Sequence, residues 1–434
     1  MTIYEEIISK AEALAPELTA LRRDFHNHAE AGWYEIRTSS IIARRLTELG
    51  YQVLTGPDVC RGDSRMGLPD ERELDTQYIR ALEQGAIQPW AERAKDGYTG
   101  VIGILDCGDG PVIAMRFDID ALGVVEDKSD SHRPYHDGFC SKNDGMMHAC
   151  GHDGHAAIGL GTAEVLMDIK DKLRGKIKLI FQPSEEGVRG AKSIVENGHL
   201  DDCDYVIANH MGDSFKGFDI GMTNDGNLAT SKLDIIFKGK ATHAGSDPDK
   251  GNNAMLSAAT AVLNLHAIPR SAMGETRINV GTLHAGTGRN VICDRAKLEL
   301  EVRGSNTETN AFVESYARRI IKAAAEMHGC GYEIKLAGAA EAFVSDLPLM
   351  DRCGRVCRDK LGLSATADMH GSSGSEDFAY MVNRVRSHGG EGLFFRTLTP
   401  CAGPFHGTNF DFDESAMPNA VKVFCGMACD IMGL

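Results

Sequence analysis

The sequence predicts a two-part α/β fold, in which a largely parallel sheet flanked by helices is interrupted by an inserted βαββαβ unit. A chain of 434 residues is too long for one core of ordinary size, so two domains are expected. In the first half, short β-branched apolar runs alternate with helical sequence, as in parallel sheets. From about residue 224 the predicted order becomes strand, helix, strand, strand, helix, strand.

The amino-terminal elements follow from apolar periodicity and turn residues. Apolar residues at helical spacing predict one helix from about Ile3 to Leu21 and a second helix that stops at Gly50. The segment YQVLTG then predicts a first strand. Residues 58–98 are polar and interrupt the strand series. We interpret them as an insertion near the site, because long insertions in compact domains are usually lids or binding loops.

Polar side chains follow three consecutive predicted strands, in GPVIAMRFDID, RGKIKLIFQPSEEG and DCDYVIANHMG. Asp118 and Asp120 end the first run, Glu185 and Glu186 follow the second, and His210 ends the third. In open α/β sheets, sites form outside the carboxyl ends of the strands. We therefore expect these five side chains to converge in one crevice.

The βαββαβ order from SKLDIIFKG to YEIKLAG predicts a ferredoxin-like unit over residues 224–338. Such a unit can fold as its own sandwich of sheet and helices. Mixed helix and loop sequence resumes after it and ends in AVKVFCGMACDIMG. The sequence thus predicts a discontinuous catalytic domain, 1–223 and 339–434, that carries a lid or dimerisation domain.

Composition excludes several classes of protein. The formal net charge of −16 disfavours nucleic-acid and anionic-membrane partners, which need clustered Lys and Arg. No basic segment followed by an apolar run begins the chain, and no stretch is long and apolar enough to span a bilayer. We expect a cytoplasmic protein whose twelve cysteines are mostly free thiols.

The densest chemical cluster is MMHACGHDGHAA, which contains His148, Cys150, His152, Asp153 and His155. A Cys-x-His pair around a glycine can place a thiolate and an imidazole on one ion. The alternative is a chance group of polar residues at a helix start. Asp153 or His155 alone would more often cap or pack than bind a metal.

Two further segments extend this hypothesis. In FQPSEEG, one carboxylate could bind metal while its neighbour acts as a general base, although a Glu-Glu pair is more often an exposed surface feature. His210 and His406 are each, taken singly, more typical of structural histidines. Together with Cys150, they make a donor set suited to one or two borderline divalent ions.

These motifs resemble one known family. The segments RFDIDAL, MHACGHDGHAA, FQPSEEG, GKATHAGSDPDKGNNA, GRNVI and GSEDF, with His210 and the late His406, resemble the amidohydrolase branch of the M20 metallopeptidases. The resemblance runs from about Arg22 to the end of the chain. It implies metal-dependent hydrolysis of the amide bond of an N-acyl amino acid, with two divalent ions, Mn²⁺ or Zn²⁺.

The resemblance also assigns roles. It implies that Cys150 bridges the two ions, that His152 and His210 complete one metal site, and that Glu186 and His406 complete the other. The remaining roles fall on Glu185 as general base, Asp118 as the carboxylate that orients a ligand imidazole, Glu376 as support for the site, Asn290 and Arg303 as substrate-binding residues, and His243 as a catalytic group acting across a dimer interface. His370, in ADMHGSSGSEDF, is the histidine most easily confused with His406.

The implied partners are a small N-acyl amino acid and a second chain, as a homodimer or as a heterodimer with a related B subunit. Two other functions stay open. A cysteine-nucleophile hydrolase would use Cys150 with a histidine, and a non-catalytic partner subunit would only bind ligand. Loss of activity with a chelator would distinguish the first, and turnover by the isolated chain the second.

Overall fold

The computed structural model describes residues 1–223, 226–369 and 374–433. A short π-helix, Val356–Leu361, follows the eleventh helix. The helices are α1 (Ile3–Ala13), α2 (Ala15–Asn27), α3 (Ile36–Leu49), α4 (Glu71–Glu83), α5 (Trp90–Ala94), α6 (Arg133–His136), α7 (His152–Asp168), α8 (Ala191–Val195), α9 (Ala254–Leu265), α10 (Thr307–Met327), α11 (Leu347–Arg355), α12 (Phe378–Ser387) and α13 (Met417–Met432). The strands are β1 (Gln52–Thr55), β2 (Val101–Asp106), β3 (Val112–Asp118), β4 (Lys176–Gln182), β5 (Tyr205–Met211), β6 (Ile220–Met222), β7 (Ala229–Lys238), β8 (Thr276–Ala285), β9 (Arg295–Gly304), β10 (Gly331–Ala340), β11 (Ala365–Thr366) and β12 (Glu391–Thr397).

The chain forms two compact units. The first contains the described residues of 1–225, 344–371 and 380–434, and the second those of 226–343 and 372–379. The second unit extends past the predicted boundary at 338, because β10 continues to Ala340 in register with β7. Asn224, the predicted first residue of the insert, lies outside the described residues. The catalytic and lid roles of the two units stay predictions.

The first unit contains an eight-stranded mixed sheet in the order β1-β2-β4-β3-β5-β12-β6-β11. Its four central strands, β4, β3, β5 and β12, are parallel to one another. However, β1 with β2, β2 with β4, and β12 with β6 are antiparallel. The predicted largely parallel sheet is therefore correct only at its centre. Antiparallel strands at the edges of parallel sheets are common.

The parallel centre positions the polar residues that the sequence places at strand ends. Asp118 is the last residue of β3, Glu185 follows the end of β4 by three residues, and His210 is next to last in β5. These strands are adjacent in the order β4-β3-β5. Their carboxyl ends therefore lie at one edge of the sheet.

The predicted helix from Ile3 to Leu21 is two helices in the structure. The first ends at Ala13, and α2 begins at Ala15 with Pro16 in its first turn. Proline has no amide hydrogen and clashes with a preceding helical turn, but it suits the first turn of a new helix. Helix α3 ends as predicted at Gly50, which has φ 94°.

Helix α7 packs closely on the sheet and carries part of the site at its start. It is almost wholly buried, and a Cβ on Gly159 would meet the ring of Phe181 at 2.5 Å. Phe117 stacks between Phe181 and Phe424, with ring centroids 5.4 Å and 4.8 Å away. This aromatic layer fixes the height of α7, and so of His152 at its first position, above the sheet.

The segment 58–98, predicted as an insertion near the site, forms α4 and α5. Arg80 of α4 donates to Glu30 at 3.1 Å, and Gln84 donates to Asn143 at 2.6 Å. Asn143 belongs to the loop that leads into Cys150. The insertion therefore packs against chain that approaches the site.

The second unit is a four-stranded antiparallel sheet in the order β10-β7-β9-β8 with α9 and α10. Its core contains Leu233, Phe237, Leu298 and Ile321. The chain order βαββαβ and this strand order are those of a ferredoxin-like unit. Across both units, none of the described helices is long and apolar enough to cross a membrane.

Candidate metal centre

The Cys-x-His segment turns sharply between its two polar side chains. Gly151 has φ 89°, a conformation open to glycine but strained for other residues, and His152 then begins α7. Cys150 and His152 are both buried. The turn places both donor atoms on the same side, where His210 of β5 joins them.

Cys150, His152 and His210 form the first donor set, in which all three donor atoms lie within 4.8 Å of one another. The Cys150 Sγ to His210 Nε2 distance is 3.4 Å. Each imidazole places Nδ1 beside a backbone oxygen, His152 beside Asp120 O at 2.9 Å and His210 beside Met211 O at 2.8 Å. Because a carbonyl only accepts, both Nδ1 atoms donate and both Nε2 atoms keep a lone pair.

Cys150, Glu186 and His406 form the second donor set, again within 4.8 Å. The His406 Nε2 to Glu186 Oε1 distance is 3.4 Å. His406 has φ 63°, and its backbone N–H donates to Ala149 O at 2.8 Å, which holds the late loop against the Cys-x-His turn. A left-handed conformation at a non-glycine residue is uncommon and is often found at functional sites.

The two donor sets fit divalent metal ions and share one thiol. His152 Nε2 and Glu186 Oε1 are buried and have no hydrogen-bond partner among the described residues. Burial and neighbouring Glu186 raise the pKa of the Cys150 thiol, while burial lowers the pKa of His210. A cation would favour the thiolate and the neutral imidazole that metals bind.

The same pKa directions disfavour a cysteine nucleophile. A catalytic Cys–His pair needs a thiolate beside an imidazolium, with the thiol pKa lowered. Here Cys150 and His210 are in contact, but burial favours the neutral form of both. The arrangement suits shared metal ligands better than a covalent catalyst.

A third cluster, Asp118 with His152 and His155, does not suit a metal. Met211 N donates to His155 Nε2 at 2.8 Å, so Nε2 is an acceptor and His155 Nδ1 donates to Asp118. Both ring nitrogens of His155 are therefore engaged. Burial alone would raise the pKa of Asp118, but Arg116 and the two imidazoles hold it well below its ordinary value.

The orienting carboxylate predicted as Asp118 is Asp120 in the structure. Asp118 Oδ2 lies 3.8 Å from His152 Nε2, beyond hydrogen-bond distance. Asp120 Oδ1 lies 3.2 Å from His152 Nδ1, and its carboxylate also accepts from the backbone N–H groups of Glu185 (3.0 Å) and Glu186 (2.9 Å). One carboxylate thus holds a predicted ligand, the predicted base and a second ligand.

Glu185 lies beside the first donor set. Its Oε2 is 4.0 Å from His152 Nε2, and Glu185, Glu186 and His152 place donor atoms within 4.8 Å of one another. The side chain is buried, as the predicted base should be if its pKa is to respond to the site.

His243 and Asn290 lie together in the second unit. Ala244 N donates to Asn290 O at 2.9 Å, and His243 forms an isolated bridge with Val291. His243 Nδ1 accepts from the backbone N–H groups of Gly245 and Ser246, each at 3.1 Å. Since Nδ1 is an acceptor, the neutral ring carries its proton on Nε2.

Arg303 lies at the opposite end of the same sheet. In the ladder between β7 and β9, Arg303 pairs with Thr230, whereas Arg295 pairs with Lys238, the residue that ends β7. His243 and Asn290 follow β7 and precede β9, so they are near the Arg295 end. Eight residues of strand separate the two ends, roughly 26 Å. The predicted joint role of Asn290 and Arg303 on one carboxylate is therefore wrong for a single copy.

Glu376 belongs to the second unit, where its Oε1 accepts from Phe378 N at 3.1 Å. Its support of the site stays a prediction. His370 lies outside the described residues.

Residues 114–430 match the family described as Peptidase family M20/M25/M40. The chain belongs to this family. Indole-3-acetyl-aspartic acid hydrolase of Enterobacter agglomerans is 45% identical over 94% of both chains. One subunit of the p-aminobenzoyl-glutamate hydrolase of Escherichia coli, the A chain of that enzyme, is 43% identical over 98% of both. The resemblance predicted from the motifs is confirmed.

Solved structures of M20-type proteins share the fold. An aminobenzoyl-glutamate utilization protein from Klebsiella pneumoniae matches with a TM-score of 0.84 and 38% identity, over 97% of this chain and 96% of that one. A dinuclear metal-binding peptidase of the M20 family from Bacillus subtilis matches with a TM-score of 0.65 and 26% identity, over 97% and 99%. The latter protein binds two metals, as its description states.

Three residues of the site escaped the sequence analysis. Asp120 was placed in the crevice without a role, whereas Arg22 and Arg189 were not considered. The DxD spacing of Asp118 and Asp120 is a usable signal, since alternate residues of a strand face the same way. No pattern marked the two arginines, whose contacts depend on distant parts of the chain.

Proposed function

We propose that this M20 protein hydrolyses the amide bond between an aromatic acyl group and an acidic amino acid, with p-aminobenzoyl-glutamate as the favoured substrate. The observation that carries the proposal is the pair of donor sets that share Cys150, with Glu185 beside them. The substrate class rests on the two relatives, whose names give amides of aspartic acid and glutamic acid.

Two divalent ions, Mn²⁺ or Zn²⁺, would be held by Cys150, His152 and His210 and by Cys150, Glu186 and His406. Such ions lower the pKa of water and polarise an amide carbonyl. Glu185 accepts the proton of the attacking water at a carboxylate oxygen and passes it to the nitrogen of the departing amino acid.

His243 supports the same reaction as a hydrogen-bond donor. Its Nε2–H is fixed by the two backbone groups that occupy Nδ1, and the side chain is exposed. A neutral donor aimed at the developing oxyanion stabilises the transition state more than the ground state. Asn290 lies next to His243 and would bind substrate with it, whereas Arg303 would bind a carboxylate at another site.

We propose that His243 and Asn290 serve the site of a second copy or of a related B subunit. The relative from E. coli is named as a subunit. Within the second unit, β8 is an edge strand that pairs only with β9 among the described strands, and Met255, Leu256 and Leu263 of α9 are exposed. An unpaired edge beside exposed apolar side chains suits association with a similar unit.

The test is hydrolysis by the purified chain of p-aminobenzoyl-glutamate, indole-3-acetyl-aspartate and a panel of N-acetyl amino acids. We expect turnover of the first two, its loss after removal of metal with a chelator, and its recovery with Mn²⁺ or Zn²⁺. Activity that survives complete metal removal would contradict the mechanism. Absence of turnover of every N-acyl amino acid by the metal-loaded chain, alone and with a B subunit, would contradict the function.

A further inference from the structure

We propose that Arg189 binds the side-chain carboxylate of the acidic amino acid in the substrate. This inference rests on the proposed function and adds to it the residue that selects aspartate or glutamate over neutral amino acids. Arg189 lies three residues after Glu186 and four after Glu185.

The loop that carries Arg189 has an unusual backbone. Ser184 has φ 51° and Val188 has φ 60°, both in the left-handed region, and Gly187 between them has φ 86°. A β-branched residue such as Val188 is rare there, and such conformations cost on the order of 1–3 kcal/mol and cluster at ligand sites. The loop is closed by Arg189 N, which donates to Ser184 O at 3.1 Å.

This turn holds the guanidinium beside the residue that supplies a metal ligand. Arg189 Nε donates to Glu186 O at 3.1 Å. The group lies over Gly187, where a Cβ would meet Nε at 2.5 Å and Nη2 at 3.0 Å. Glycine at 187 therefore provides both the positive φ and the room for the guanidinium.

The guanidinium has no carboxylate in ion-pair contact among the described residues, although the chain has 62 acidic residues. Other partly buried arginines of the first unit have such partners: Arg37 binds Asp24, and Arg80 binds Glu30. Glu73, the acidic residue near the neighbouring Tyr34, interacts with the Tyr34 hydroxyl. Burial and this interaction raise the pKa of Tyr34.

A half-buried, permanently charged fork next to the reacting groups suits a carboxylate ligand. Arginine binds carboxylates through two parallel N–H groups, which fixes direction as well as charge. Glutamate and aspartate share a second carboxylate one or two methylene groups from the α-carbon. A neutral amide in its place would leave the guanidinium without its counter-charge.

The experiment compares p-aminobenzoyl-glutamate with p-aminobenzoyl-glutamine in the metal-loaded enzyme, its Arg189→Gln variant and the control variant Arg174→Gln. Arg174 is exposed, so this control removes the same charge away from the site. A hydrogen bond to a charged group corresponds to roughly 10–100-fold in kcat/KM. We expect the parent and Arg174→Gln to prefer the glutamate substrate by this factor. Arg189→Gln should lose the preference through a higher KM for glutamate, with kcat on the glutamine substrate retained.

A second measurement tests binding without turnover. Free glutamate should inhibit the parent more strongly than glutamine does, and this difference should vanish in Arg189→Gln but persist in Arg189→Lys at a reduced level. Equal loss of activity on both substrates would assign Arg189 a structural role and overturn the inference, as would a preference unchanged in Arg189→Gln or absent from the parent. If the parent hydrolyses no N-acyl amino acid, the proposed function itself fails.

Discussion

At the scale of single residues, the site depends on which nitrogen of each histidine carries its proton. In His152 and His210, Nδ1 faces a backbone carbonyl, so Nε2 is left to bind metal. In His155 and His243, backbone N–H groups face one nitrogen and fix the opposite tautomers. The backbone thus distinguishes ligand, structural and donor histidines.

Cys150→Ser should weaken metal binding rather than abolish a covalent intermediate. The thiol belongs to both donor sets, so its loss removes a shared ligand. We expect a lower metal-to-protein ratio after dialysis, measured by elemental analysis, while Cys107→Ser should retain the parent ratio. Detection of a thioester on Cys150 during turnover, by mass spectrometry of quenched enzyme, would contradict this prediction.

Glu185→Gln should keep the metals and lose hydrolysis. Glu185 borders the first donor set but is absent from both shared-thiol sets, so it is free to move a proton. Removal of a general base typically lowers kcat by about 10²–10⁴-fold or more. The exposed Glu196→Gln is the control. The assignment is wrong if Glu185→Gln stays within tenfold of the parent at equal metal content.

Much of this residue-level arrangement was predictable, because Cys150, His152, Glu185, Glu186 and His210 follow strands or a turn whose direction the sequence indicates. The structure brings them together with His406. Their catalytic roles stay predictions. The role of Asp120 was not predictable, since it depends on backbone N–H groups of a loop 65 residues later.

At the scale of elements, α2 connects the two segments that carry ligands. Arg22, fully buried, donates to Asp153 at 2.8 Å and to Asp411 at 2.9 Å, and a third contact reaches Glu414 at 3.2 Å. Asp153 follows His152 directly, and Asp411 lies in the loop that contains His406. One guanidinium therefore ties the first turn of α7 to the late loop.

Arg22→Met should destabilise the fold strongly. It would leave three buried or nearly buried carboxylates without their cation, and loss of one partner of a buried ion pair costs about 3–5 kcal/mol. Urea unfolding followed by circular dichroism measures the effect. The exposed pair of Arg44 with Glu48 gives the control: Arg44→Met should change the unfolding free energy by less than about 0.5 kcal/mol. A loss below about 1 kcal/mol for Arg22→Met would contradict the role of the network.

Glu126, near α2, should make stability depend on acid. Burial alone would raise its pKa, but hydrogen bonds from His26 and Ser141 lower the pKa to about 2. A lowered pKa stabilises the fold above the ordinary value of about 4.3, and this contribution is lost as pH falls toward 2. Glu126→Gln should therefore flatten the fall in unfolding free energy between about pH 4.5 and 2. The exposed Asp144→Asn should not, and an equal slope in Glu126→Gln and the parent would refute the prediction.

Element boundaries were harder to predict than element types. Apolar periodicity continues through Leu14, so only Pro16 marks the break between α1 and α2. Strand β2 was missed because it follows the insertion, and its antiparallel pairing with β4 made the sheet mixed. Pairing partners are set by tertiary contacts that short sequence windows do not contain.

At the scale of the whole molecule, the chain divides into two units whose functional residues differ in kind. The first contains the donor sets and Glu185, and the second contains His243, Asn290 and Arg303. The βαββαβ order was predictable from six well-separated periodic segments. The segment 374–379 was assigned to the other domain, because nothing in its sequence indicates that Gly374 O accepts from Leu228 N.

Complementation tests whether two chains form one site. Chains with His243→Ala and chains with Glu185→Gln should each be inactive, but mixed dimers should regain one working site if His243 acts in the partner. Activity is measured after mixing and verified dimer exchange, with each variant alone as control. If the partner is a B subunit, the variants are placed across that pair. A verified mixed dimer without any recovered activity would show that His243 works in its own chain or not at all.

The backbone bond from His406 to Ala149 has a consequence for the order in which the protein matures. The first donor set is encoded within 61 consecutive residues, from Cys150 to His210, and is available early in synthesis. The second waits for His406, which reaches Ala149 only after the intervening βαββαβ unit has been made. Closing so long a segment has an entropic cost that a folded unit within it reduces, because it shortens the flexible part. A nascent chain can therefore assemble one half of the centre before it can assemble the other, and the folding of the inserted unit governs when the second half completes.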